Sequence, residues 1–215
     1  MEAESREVRR YEYYEALKVL AREIRDHYGL NTPRVLRSDL RRVYRDQKIR
    51  IYPWKFRFKR LRGAYIYDSG GAAVLINVLL PVEPVIFTLG HELKHHLTDR
   101  TTGLSYCDTS NADAHLEIGA EIFAAELIYP QADFVAALVK MGITSSNYQP
   151  EALVKLKARV KTTLSYAAMA KRTEFLGIAP WGAHVRVKWR SLEERLFGPP
   201  VYKRILARRR AIVAP

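Results

Sequence analysis

The chain has 215 residues, 48% hydrophobic and 27% charged, enough for one generous domain or two small ones with a sizeable core, which argues against wholesale disorder. A single cysteine, Cys107, rules out a disulfide framework within the chain and fits a reducing compartment. Net charge is +13, split as +9 over residues 1–63, −8 over 64–153 and +12 over 154–215; basic flanks of this size act on nucleic acid or acidic protein, or simply form solvated faces. The charged start, Met1 to Glu7, has no apolar stretch behind it, so no secretory signal is expected. The most apolar run, Ala72 to Gly90, is broken by Asn77, Pro81, Glu83 and Pro84 and does not read as a membrane span. A soluble cytoplasmic protein is expected.

Apolar and aromatic residues recur at helical spacing from about Glu7 to Tyr28 (Val8, Tyr11, Leu17, Leu20, Ile24, Tyr28), and Gly29 supplies a stop. After the turn Asn31-Thr32-Pro33, a short helix is predicted from Ser38 to Tyr44. Ile49 to Tyr52 alternates and reads as a strand ending at Pro53. The stretch Trp54–Arg62 alternates aromatic or aliphatic with basic residues, as a strand with one wet face or an exposed arm. Gly63–Asp68 and Ala73–Asn77 flank Ser69-Gly70-Gly71, a hairpin signature. From Val85 to Leu97 the period is helical, a loop follows from Thr98 to about Ser110, and a second helix runs from about Ala112 to Ile128 before Pro130. Helices are predicted at 131–141, at 150–159 and from Thr162 to Ile178, with a Gly at the last one's end. The Pro- and Arg-rich remainder is expected to be only partly ordered. The fold class is α+β, a small antiparallel sheet beside a mostly helical body.

His91-Glu92-Leu93-Lys94-His95 is a His-Glu-x-x-His pattern. On a helix, positions i and i+4 share one face, so both imidazoles reach one cation, and zinc accepts neutral imidazole readily. Glu92, one residue on, leans aside, where it can take a proton from water activated by the metal. Ile86, Leu89, Leu93 and Leu97 make this a core helix with its histidine edge at most partly wet. A catalytic zinc needs a third protein ligand. Glu117 and Glu121 lie one turn apart on the second helix, beside the apolar surface of Ala120, Phe123, Ala124 and Leu127. The gap of 22 positions from His95 lets the loop bring that helix back antiparallel. Glu117 then completes a site with His91 and His95, and Glu121 sits one turn deeper, accepting the second ring N–H of a ligating histidine.

The segments Phe87–Leu97 and Glu117-x-x-Ala120-Glu121-x-Phe123 through Pro130, with the upstream strands Arg62–Tyr67 and Ala73–Asn77, resemble the ImmA/IrrE family of metallo-endopeptidases. The resemblance covers roughly 50–178. It implies a zincin-like (gluzincin-like) core in which His91, His95 and Glu117 bind Zn2+ and Glu92 is the general base of peptide hydrolysis. The family has Asn or Asp where Glu121 stands and Met where Tyr129 stands, which leaves Glu117 and Glu121 both open as the carboxylate ligand. Glu117 is preferred because it matches the family's acidic position. Tyr129, Tyr106, Tyr67 and His115 are all candidates for stabilising the oxyanion. His96, about 100° around the helix from His95, is a bystander or a supporting group, and Cys107 is a small residue in the loop between the metal helices.

The resemblance also implies a substrate, since members of this family act on helix-turn-helix repressors of mobile elements or stress genes. The segment 162–178 is similar to the helix-turn-helix-like region that follows the family's catalytic part. The implied organisation is a basic helical segment at 1–47, the metallopeptidase core at 48–145, a helix-turn-helix-like segment at 146–178 and a basic tail at 179–215. DNA contact through the basic flanks is a further expectation, marked by affinity that falls steeply with salt. Two rivals remain on sequence grounds. One is a DNA-binding regulator with a structural or vestigial metal site. The other is a DNA-associated SprT-like metalloprotease, in which a third histidine, here His115, replaces the glutamate.

Overall fold

A turn built from local chemistry joins two neighbouring strands of the sheet. Gly71 sits at φ 100°, which suits glycine, and the Asp68 side chain accepts the Gly70 N–H at 2.7 Å. The computed structural model describes residues 2–55, 61–100, 104–106 and 114–206; of residues 2–7, 104–106 and 114 it describes the backbone alone. The Trp54–Arg62 stretch is therefore described only at its ends, and Cys107 and the Tyr106 side chain lie outside the described residues.

The elements are α1 (Glu2–His27), α2 (Arg37–Asp46), β1 (Arg50–Trp54), β2 (Gly63–Asp68), β3 (Gly71–Asn77), α3 (Val82–Thr98), β4 (Leu104–Tyr106), α4 (Ala114–Ile128), α5 (Gln131–Lys140), α6 (Glu151–Val160), α7 (Tyr166–Phe175) and α8 (Trp189–Phe197). This is the expected α+β class, but the sheet is mixed rather than antiparallel. Its order is β1-β3-β2-β4, with β1 parallel to β3 and the other neighbours antiparallel. Alternation reports which face a residue takes, not the direction of its partner strand, so the parallel edge was not visible in the pattern. Pro53 is tolerated inside β1 because β1 is an edge strand, one side of which is unpaired among the described residues. β4 falls in the segment expected to be loop; three residues are too few for a periodic signal.

The chain divides into two compact units, Met1–Ala137 with Val160–Ser165, and Leu138–Arg159 with Tyr166–Pro215. In the first, Leu17 and Ala21 of α1 are buried, and a Cβ on Gly119 of α4 would come within 2.8 Å of the Leu17 side chain. Arg25 donates to the carbonyls of Leu127 (2.7 Å) and Ile128 (3.1 Å), capping the negative end of α4. Gly29, at φ 64°, ends α1 as expected. α2 opens with the Asp39 carboxylate accepting the Leu36 N–H at 2.8 Å, and Tyr44 donates to the Leu89 carbonyl of α3 at 2.6 Å. Ile86, Leu89 and Leu93 bury one face of α3, each worth about 2 kcal/mol of apolar transfer.

The helix expected from Thr162 begins only at Tyr166. Lys161 takes a left-handed φ of 53°, and Thr163 is committed to the first unit, its N–H to the Pro33 carbonyl (3.2 Å) and its hydroxyl to Val35 (2.8 Å). In the second unit, His184 bridges Glu174 and Tyr148 at 2.7 Å on each side. Trp189 stacks on Tyr166 at 9° and 5.1 Å. These contacts order part of the tail expected to be loose: α8 forms there, with Leu192 buried, and 201–206 is also helical. Among the described residues, no single helix is long and apolar enough to cross a membrane.

Candidate metal centre

α3 and α4 meet at Gly90, where a Cβ would lie 3.2 Å from the Ala124 Cβ. That close approach sets the histidines of α3 against the first turn of α4. His91 and His95 are 3% and 2% exposed. Their Nε2 atoms lie 3.3 Å apart, and the Glu117 carboxylate comes within 3.1 Å of His91 Nε2 and 3.5 Å of His95 Nε2. Ligand atoms at tetrahedral vertices, each 2.0–2.1 Å from a shared zinc, stand about 3.3 Å apart. These three residues also form a group able to hold a metal. Two imidazoles and a carboxylate suit zinc chemically, so both the spacing and the donor set fit that ion.

The proton positions around His95 follow from its neighbours. Its Nδ1 lies 2.7 Å from Asp99 Oδ2, which also accepts Lys94 Nζ at 2.6 Å, while Thr98 donates to Oδ1 at 2.8 Å. Burial opposes a charge on Asp99, but the hydrogen bonds from His95 and Lys94 outweigh it and bring its pKa down to about 2. An ionised carboxylate only accepts, so His95 Nδ1 carries the hydrogen and Nε2 presents its lone pair to the site. Burial lowers the pKa of His95, with the Asp99 hydrogen bond pulling the other way. Burial raises that of Glu117, but its contacts with His91 prevail and it falls below the ordinary carboxylate value.

Glu92 is fully buried, and among the described residues neither carboxylate oxygen has a hydrogen-bond partner at good geometry. Burial raises its pKa to about 7; the charge on Glu117 adds to this, while His91 and the Tyr65 backbone oppose it. A carboxyl poised near neutrality can both take and give a proton at working pH. Room for it comes from Gly63 at the start of β2, where a Cβ would sit 2.9 Å from Glu92 Oε1 and 2.5 Å from Thr88.

The other residues singled out by sequence take varied places. Glu121 is half-buried one turn along α4 and lies outside the three-residue group; the carboxylate on His95 Nδ1 is that of Asp99. Asp99 stands four positions after His95 but just beyond the end of α3, where the helical period no longer marks it. His96 accepts from Arg100 at Nε2 (2.6 Å) and therefore donates from Nδ1 to the Tyr65 hydroxyl (3.0 Å), which turns it towards β2. Burial first, then the Arg100 charge, lowers its pKa to about 4. His115 packs on Tyr13 and Tyr14 of α1, with Nδ1 3.1 Å from the Tyr14 hydroxyl, and is not in the metal group. Tyr129 is 2% exposed and edge-on to Phe134, whereas Tyr67 is half exposed on β2.

Residues 46–174 match the model of the peptidase family described as the IrrE N-terminal-like domain. No curated protein matches the chain significantly.

Proposed function

The chain belongs to the IrrE N-terminal-like peptidase family, and from that premise we propose that it is a zinc-dependent endopeptidase that cuts a helix-turn-helix repressor of a mobile element or stress gene and so relieves repression. The observation that carries the catalytic half is one helix presenting two ligand nitrogens and, in the same turn of sequence, a fully buried carboxyl whose oxygens have no well-formed hydrogen bond among the described residues. Packing of α3 on the mixed sheet and on α4 supports a zincin-like core.

His91, His95 and Glu117 would hold the zinc ion, which when bound would supply Lewis acidity towards the scissile carbonyl and lower the pKa of water. Glu92 takes the proton from the attacking water and returns it to the leaving amine. Asp99 holds the His95 ring in the tautomer that keeps Nε2 free. His91, Glu92 and His95 are themselves almost fully buried, which limits the bulk water that competes for these groups.

The substrate half rests on the family together with the pair α6 and α7, joined by 161–165, which supports a helix-turn-helix-like reading of 146–178. The test incubates the zinc-loaded protein with a panel of helix-turn-helix repressors from the same genome and analyses fragments by mass. One repressor cut at a discrete bond, with cutting lost on chelation, is the expected result. Repressors that all stay intact while a generic peptide is cut would overturn the substrate assignment alone.

A further inference from the structure

Lys94 occupies the second free position of the His-Glu-x-x-His pattern, yet it is 0% exposed. An ammonium in that position must be fully partnered, because an uncompensated buried charge costs several kcal/mol. Its partners come from three places. Nζ donates to Asp99 Oδ2 at 2.6 Å just past the end of α3, and to the Leu116 carbonyl at 3.3 Å in the first turn of α4; it also lies 5.6 Å from the centre of the Tyr13 ring of α1. Leu116 immediately precedes Glu117. The oxygen of Asp99 that receives Lys94 is the same one that faces His95 Nδ1.

We propose that Lys94 and Asp99 form a single positioning device that holds the ligand residues of both helices in place before any metal arrives. Through Asp99 it fixes the tautomer and rotation of His95. Through the Leu116 carbonyl it fixes the start of α4, and with it Glu117. The ammonium also offsets the Asp99 charge, so that Asp99 can orient His95 without standing as an uncompensated buried carboxylate. Neither residue touches substrate or the reacting atoms; both act through the ligands. This inference rests on the metal-site reading.

The test therefore begins with the metal-free protein. Nitrogen-15 spectra of zinc-free wild type at pH 8 are expected to show His95 with its hydrogen on Nδ1, and Asp99→Asn to give a mixed tautomer with the other histidines unchanged. Zinc affinity, by competition with a chromophoric chelator, is expected to fall about 10–100-fold in Asp99→Asn and in Lys94→Met. The double variant is expected to lose little more than the worse single one, as members of one network do. Wild-type His95 carrying its hydrogen on Nε2 overturns the proposal and needs no variant to fold. So does an unchanged zinc affinity in folded Lys94→Met. If wild type binds no zinc at all, the metal-site reading fails, while the tautomer comparison still decides whether Asp99 orients His95.

Discussion

Glu117→Ala is expected to weaken zinc binding by more than about 100-fold, beyond the loss usual for a residue that only supports a ligand. The carboxylate sits within 3.1 and 3.5 Å of the two imidazole nitrogens, and among the described residues no other acid is part of that group. Titration of the metal-free protein with zinc, read by calorimetry, measures this directly. Glu121→Ala and His115→Ala are the controls. Glu121 lies outside the group, and His115 is occupied by the tyrosines of α1, so each is expected to change zinc affinity by less than 10-fold. A loss in His115→Ala matching that in Glu117→Ala would favour the three-histidine alternative instead.

Glu92→Gln separates chemistry from binding. Peptide hydrolysis is expected to fall by about 10²–10⁴-fold, the usual contribution of a positioned base, with zinc stoichiometry unchanged because Glu92 is not a ligand. The same variant has a signature in the metal-free protein. Burial raises the folded-state pKa of Glu92 to about 7 from an ordinary 4.5. The neutral acid is thus favoured by the fold: its contribution is fully present below pH 4.5, declines as pH rises through 7, and is constant above. Glutamine does not titrate. The stability of Glu92→Gln minus that of wild type is therefore expected to grow between pH 4.5 and 7, by up to about 3 kcal/mol. Denaturant unfolding at pH 4, 6 and 8 checks it; a flat difference would mean that the carboxyl is solvated in the fold.

Much of the site was legible because its chemistry is local. His91 and His95 are one turn apart on a helix whose apolar period is plain, and the mixed helix–strand pattern gave the α+β class. What was not legible depends on contacts far apart in the chain. The direction of β1 relative to β3 is set by pairing, not by alternation. The late start of α7 reflects the commitment of Thr163 to Pro33 and Val35, some 130 positions earlier. α8 has a weak sequence signal and is held by Trp189 stacking on Tyr166. Lys94 was invisible for a different reason. A lysine on a polar helix face normally reads as solvated, and the joint presence of Asp99, the Leu116 carbonyl and the Tyr13 ring explains its burial.

Whether His91, His95 and Glu117 share one zinc ion is decided by diffraction at the zinc absorption edge. Crystals grown with one equivalent of zinc are expected to show a single anomalous peak about 2.0–2.2 Å from the Nε2 atoms of His91 and His95 and from a Glu117 oxygen. No peak between α3 and α4, or one ligated there by Glu121 or His115 in place of Glu117, would contradict the account.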